Sequence, residues 1–197
     1  SDRNVVEEKV FIPSTESYEF LKEDLGTLTY VNKNNQLFLL FAQKLYQVDI
    51  ETGTSEVLEE GIKQNHFVVS DTKAHAAWLI TSGDDQGKIR EIEFDSLKTR
   101  DLSPENGQKL RVLGFMNEDL VYGILSDADI LTDANGHETE GLSTFRIESF
   151  KGKVKKEYHQ DGLYITNVTV GSTMMEFELS AKSGNAYAVQ KKDNIMN

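Results

Sequence analysis

Asp127, Asp129 and Asp133, followed by Asn135 and Gly136, set carboxylates and an amide in the spacing D-x-D-x-x-x-D-x-N-G. Oxygen donors at such intervals can gather around a hard divalent cation, and Ca²⁺ is the cofactor this set (Asp127, Asp129, Asp133, Asn135) would hold. The EF-hand register fails, however. With Asp133, Asn135 and Gly136 at its third, fifth and sixth positions, Leu131 and Leu142 fall where the first and twelfth ligands belong. The reading the residues favour is a solvated acidic hairpin with Asn135-Gly136 as a type I′ turn and no cofactor, Ca²⁺ being the alternative. Asp84 and Asp85 in a second loop make the same end of the molecule acidic. Together with Asp127, Asp129 and His137 they form the expected ligand-binding face, suited to a cationic or sugar-like partner.

Other chemistries find little purchase. His66, His75, His137 and His159 are scattered, without HxxxH, HExxH or Gly-x-Ser-x-Gly around them, and no glycine-rich phosphate loop is present. His66 and His159 flank connections that could converge. Cysteine is absent, which excludes disulfides, thiolate metal sites and cysteine nucleophiles. Trp78 sits among Ala76, Ala77, Leu79 and Ile80 and reads as packing core. No catalytic residue is assigned, so the expectation is a non-catalytic binding module for a protein or small polar ligand. The alternative is a gating or regulatory domain of a hydrolase whose catalytic part lies elsewhere.

The charge narrows the partners further. Thirty-three acidic against 21 basic residues give a net charge of −12, which repels phosphate backbones and anionic membranes, so neither nucleic acid nor a membrane surface is expected to bind. A chain of 197 residues with ten Phe and seven Tyr can bury a substantial core, and one domain over 1–197 is the default. The SDRNVVEEKV start suggests a domain excised from a longer chain, whose parent could be membrane-anchored.

The elements that must position these residues are short strands. Leu37–Ala42 is an apolar run of strand length, Leu45–Ile50 alternates with period two, Glu51-Thr52-Gly53-Thr54 is a glycine turn, and Ser55–Glu60 resumes as a strand. The unit recurs. Thr27–Asn32 opens the first copy. The second reads His66–Ser70, Ala74–Ile80, Lys88–Phe94 and Thr99–Leu102, and the third Leu110–Phe115, Leu120–Leu125, Ser143–Ser149 and Val154–His159. A fourth, Leu163–Val170, Met174–Leu179 and Ala186–Gln190, lacks its last strand.

Four-stranded meanders at this spacing are blades of a β-propeller, so the expected class is all-β and propeller-like, with about four blades. A β-sandwich is the competing class. Val5–Ile12 is a free strand that could complete the fourth copy, giving a monomer; an open edge would instead favour a dimer. One helix is expected, capped by Ser14, with Tyr18, Leu21 and Leu25 as its apolar stripe and Gly26 just past its end. In this frame residues 126–142 are a long insertion between the second and third strands of the third copy. Lys151, Lys153, Lys155 and Lys156 guard that copy's outer strand.

The segments KLYQVDIETGTSEVL, KIREIEFDSLKTRDL and STFRIESFKGKVKKEY resemble the strand–turn–strand halves of WD40-like repeats of the TolB type, Asp49-Ile50-Glu51-Thr52-Gly53 being the nearest match. LRVLGFMNEDLVYGILSDADI is similar to uncharacterised extracytoplasmic propeller domains of Gram-positive bacteria. The resemblance covers about Thr27 to Gln190. It implies a binding scaffold outside the cytoplasm, at the cell surface, and carries no catalytic residue with it.

Overall fold

The computed structural model describes residues 8, 10–15 and 17–196, which form two compact units divided after Gln64. The first unit holds helix α1 (Tyr18–Thr27) and a four-stranded antiparallel sheet, β1 (Thr29–Val31), β2 (Gln36–Phe41), β3 (Lys44–Asp49) and β4 (Ser55–Glu60), paired in chain order. Its turns follow from side chains. Asn32 Oδ1 accepts the N–H groups of Asn34 and Gln36 at 2.9 and 3.0 Å, and Asn35 takes a left-handed φ of 57°. Ala42 and Gln43, both at positive φ, close β2 onto β3 in two residues. Asp49 Oδ1 accepts from the N–H groups of Glu51 and Thr52, both at 2.9 Å, while Gly53 supplies φ 71°. The VDIETG segment is therefore an Asp-capped turn.

The second unit repeats the plan. Its sheets are β5 (Phe67–Val69), β6 (His75–Leu79), β7 (Ile89–Glu93) and β8 (Lys98–Leu102); then β9 (Lys109–Met116), β10 (Asp119–Leu125), β13 (Thr144–Glu148) and β14 (Val154–His159); and last β15 (Tyr164–Val170), β16 (Met174–Ser183) and β17 (Ala186–Met196). A two-stranded ribbon, β11 (Ile130–Thr132) and β12 (Glu138–Glu140), stands between β10 and β13.

Within the described residues every sheet is built from strands consecutive in the chain, apart from that ribbon, and none exchanges a strand with another. A Greek-key sandwich would require such exchanges. Burial tells the same story. All seven residues of β10 are buried, where a two-layer sandwich would leave one face to solvent. Val121 and Leu125 pack with Phe145, Ile165, Met175, Phe177 and Leu179, while Leu120, Tyr122 and Ile124 pack with Ala77, Leu79 and Ile89. The third sheet is thus covered on both faces by its neighbours in sequence. The fold is all-β with propeller-type sheets, and the fourth copy has three strands. Trp78 is buried and stacks on Phe67 at 6.1 Å, and β14, with Lys155 and Lys156, is an outer edge strand as its lysines suggest.

The N-terminal expectations need revision. Val5–Ile12 falls partly outside the described residues, and the described ones, Glu8 and Val10 to Ile12, are not in a strand. Helix α1 begins at Tyr18, too far on for Ser14 to cap it. Gly26 lies inside the helix without a left-handed φ; the helix end is secured by Thr29, whose Oγ1 donates to the Leu25 carbonyl at 2.8 Å. Tyr18 and Leu25 are exposed, so the i, i+7 pair is no buried stripe.

Candidate functional site

The insertion at 126–142 is a built element, docked on the C-terminal sheet. Ser126 starts a 3₁₀ turn, Asp127–Asp129, and the buried Asp129 carboxylate accepts the Ser126 N–H and hydroxyl at 3.0 and 2.7 Å. Lys182, in β16, donates to Asp129 Oδ1 and to the Ala128 carbonyl, both at 2.8 Å, with its ammonium 4.4 Å from the Tyr164 ring centre. Tyr187, in β17, donates its hydroxyl to the Asp129 carbonyl at 2.9 Å. At the far end Arg111 holds Glu140 with two hydrogen bonds, and Leu142 bridges to Ile165 by backbone pairing. Burial alone would raise the Asp129 carboxyl, but the Lys182 ammonium and the Ser126 donors more than reverse this and hold it below the usual range.

The turn of the ribbon differs from the expected type I′. Asp133 Oδ1 accepts from the N–H groups of Asn135 and His137 at 2.8 and 2.9 Å, and Gly136 alone takes positive φ, 81°. Asn135 stays right-handed because the Asp133 carboxylate organises the loop as a type I turn followed by a glycine bulge.

The candidate residues accordingly have separate duties. Asp127 is exposed and paired with Lys109, Asp129 is held by Lys182, and Asp133 is engaged by its own turn, to which Asn135 lends its backbone N–H. Among the described residues no three carboxylate or imidazole groups gather so as to hold a metal ion. Asp85 pairs with Lys88 at 2.6 Å and with Arg90 at 3.6 Å; Asp84 is exposed on the same loop. His159 is engaged locally, within 2.8 Å of the Ser143 carbonyl and of Asp161.

What the docked ribbon creates is a groove of about 650 Å³ between itself and the C-terminal sheet. The ribbon supplies Asp133, His137, Glu138, Thr139 and Glu140; the sheet supplies Thr166, Asn167, Ser180, Tyr187 and Val189. The wall holds no Lys or Arg. Thr166 and Ser180 share a buried hydroxyl pair at 2.8 Å, and Asn167, at φ 49° in the bulge that breaks the β15–β16 register, donates its amide to Glu178. A left-handed asparagine at a bulge re-aims its neighbours into the groove. Tyr187 leans on Tyr164 with ring centres 5.3 Å apart, and burial pushes its hydroxyl up to about 12, so it stays a neutral donor.

No protein-family model and no curated protein sequence matches the chain. Solved structures do. The tricorn protease is similar over 79% of this chain and 19% of its own, with 14% identity and a TM-score of 0.45. An acylaminoacyl peptidase of Pyrococcus horikoshii shares 10% identity over 89% of this chain and 33% of its own, with a TM-score of 0.44. A Lactobacillus plantarum protein shares 13% identity over 84% and 54%, with a TM-score of 0.35. The chain therefore spans from a fifth to about half of these larger chains.

Several residues of the site left no mark in the sequence. Tyr187 and Asn167, which line the groove, and Lys182 and Arg111, which hold the insertion, belong to strands, and only three-dimensional pairing brings them together. One signal was readable: a charged insertion lacking Lys and Arg needs cations from elsewhere if any of its carboxylates is to be buried.

Proposed function

We propose that this chain is a non-catalytic binding module of propeller type, part of an extracytoplasmic protein, and that the groove between β11–β12 and the C-terminal sheet receives a cationic segment of a protein partner. The observation that carries this reading is the wall itself. Asp133 and Glu138 stand with His137 and Thr139 on one side, hydroxyls and an amide on the other, and no lysine or arginine among them. A positive side chain entering there meets acceptors already fixed by the turn and the bulge, which limits the ordering cost of binding. Tyr187 offers an aromatic edge at the floor. The chain's net charge of −12 draws cationic partners toward it from a distance.

The test is an NMR titration of the ¹⁵N-labelled protein with a lysine- and arginine-rich peptide, and separately with a neutral oligosaccharide. The amides of Thr139, Asn167 and Tyr187 should move with the peptide, the effect should weaken as salt is added, and Glu138→Lys should abolish it. Shifts confined to residues outside the groove would refute this assignment.

A further inference from the structure

Away from the groove, where the β5–β8 sheet meets the sheet containing β10 and β13, a set of titratable side chains is buried together. Glu91, in β7, is wholly inaccessible. Arg100, its register partner in β8, donates Nε to Glu91 Oε2 at 2.6 Å and Nη1 to Glu148 Oε1 in β13 at 2.5 Å. The second oxygen of Glu148 accepts the Tyr122 hydroxyl of β10 at 2.8 Å. One guanidinium thus serves two carboxylates, and its Nη1 bond is a charged tie between the two sheets. The remaining oxygen, Glu91 Oε1, has no hydrogen-bond partner; His75 Nδ1 of β6, also buried and without a partner, stands 3.7 Å away. Phe150 closes the assembly, its ring 5.5 Å from His75 and 6.0 Å from the Arg100 guanidinium.

The charges do not balance. Asp119 in β10, which faces Glu91, is matched by Lys155 of β14 at 2.6 Å, and Arg146 of β13, which faces Tyr122, is matched by Glu157. That leaves Glu91 and Glu148 against Arg100 alone, and a buried uncompensated carboxylate is strongly unfavourable. One added proton makes the set neutral. Among the described residues of this cluster the buried side-chain atoms without a hydrogen bond are Glu91 Oε1 and His75 Nδ1, which face each other, and Arg100 Nη2, a donor that cannot take a proton, so Glu91 Oε1 can be protonated without breaking an existing bond.

We propose that Glu91 and His75 form a proton-binding site inside this seam, and that occupancy of the site governs how firmly Arg100 ties the two sheets. With the proton present, Arg100 is free to favour Glu148. Without it, Glu91 competes for the same guanidinium and the tie slackens. Burial, which outweighs the pull of Arg100, raises the Glu91 carboxyl to about 7, so the transition lies near neutral pH. The folded chain then holds a proton that the unfolded chain has released. The stabilisation it brings is full below about pH 4.5 and is lost as pH rises toward about 7.

The experiment is urea unfolding of the wild type and Glu91→Gln at intervals from pH 5 to 8. Glutamine keeps the acceptor for Arg100, adds a donor toward His75 and cannot ionise. The wild type should lose stability across this range. Glu91→Gln should keep only the shallower slope that His159 contributes and should unfold at least tenfold less readily than the wild type at pH 8; an unchanged slope in the variant overturns the proposal. Should Glu91→Gln fail to fold, ¹³C-carboxyl NMR of the wild type decides: one glutamate titrating above pH 6 supports the site, and all glutamates titrating below pH 5 overturn it.

Discussion

Lys182 Nζ lies 2.8 Å from the buried Asp129 carboxylate and 2.8 Å from the Ala128 carbonyl, so a single strand residue fastens the start of the acidic insertion. One carboxylate of the set expected to gather around a cation is thereby neutralised from within the chain. What remains open to a partner is the outer part of the ribbon, Asp133 to Thr139.

Lys182→Met should leave Asp129 buried without its counter-charge. The expected loss is about 2–3 kcal/mol, less than for a fully buried pair because Lys182 keeps some exposure. Urea unfolding measures it, and protease cleavage within 126–142 should accelerate in parallel. Unchanged stability with unchanged cleavage would show that the ribbon is held by other contacts.

Gly141→Ala tests the other end. A Cβ there would strike the Tyr187 ring and hydroxyl, which are already committed to the Asp129 carbonyl. Tyr187 must swing away, so the hydroxyl loses its acceptor and the groove loses its floor; about 1–3 kcal/mol of stability should go with it. A variant that melts with the wild type and still binds the cationic peptide would contradict this.

Stability should peak on the acid side of neutrality. Asp49, Asp101 and Asp133 are held below the ordinary carboxylate range, Asp49 and Asp133 by backbone N–H groups of their turns and Asp101 by Arg90, and Asp129 by Lys182 and Ser126. Their contribution is complete above about pH 4 and is lost as pH falls below it. Glu91 contributes with the opposite sign toward about pH 7. The urea midpoint plotted against pH should therefore crest between about pH 4 and 4.5, and Asp129→Asn should flatten the acid limb. A crest above pH 7 would show that the seam carboxyl is ionised throughout.

The outer edge of β17 is unpaired among the described residues, and its sequence is self-complementary. Two copies set antiparallel about Lys192 would bring Lys191 opposite Asp193 and Val189 opposite Ile195. Sedimentation should show a concentration-dependent dimer. Lys191→Glu should weaken it and addition of Asp193→Lys should restore it. A wild-type monomer at all concentrations would rule out edge pairing.

Much of this was legible in the chain. Leu37–Ala42, Val154–His159 and Met174–Leu179 announce strands because apolar runs and period-two alternation are local properties, and Gly53 marks its turn for the same reason. Both helix ends depart from the expectation because a serine and a glycine nearby meet the usual signals, while the actual closure uses Thr29, whose role depends on where β1 begins. The groove was half visible. Composition marks His137 and Asp133, but Lys182 and Tyr187 lie 53 and 58 residues beyond Asp129, and no spacing rule links them to it. The Glu91–Arg100–Glu148 seam joins three strands whose alternation looks ordinary, since burial is set by the neighbouring sheet.

Because each sheet is knitted from adjacent stretches of chain, a nascent polypeptide leaving the ribosome can close every one of them without waiting for distant sequence. The ribbon is the exception. Its Asp129 emerges 53 residues ahead of the lysine that fastens it, so the ribbon can seat only after translation has passed β16.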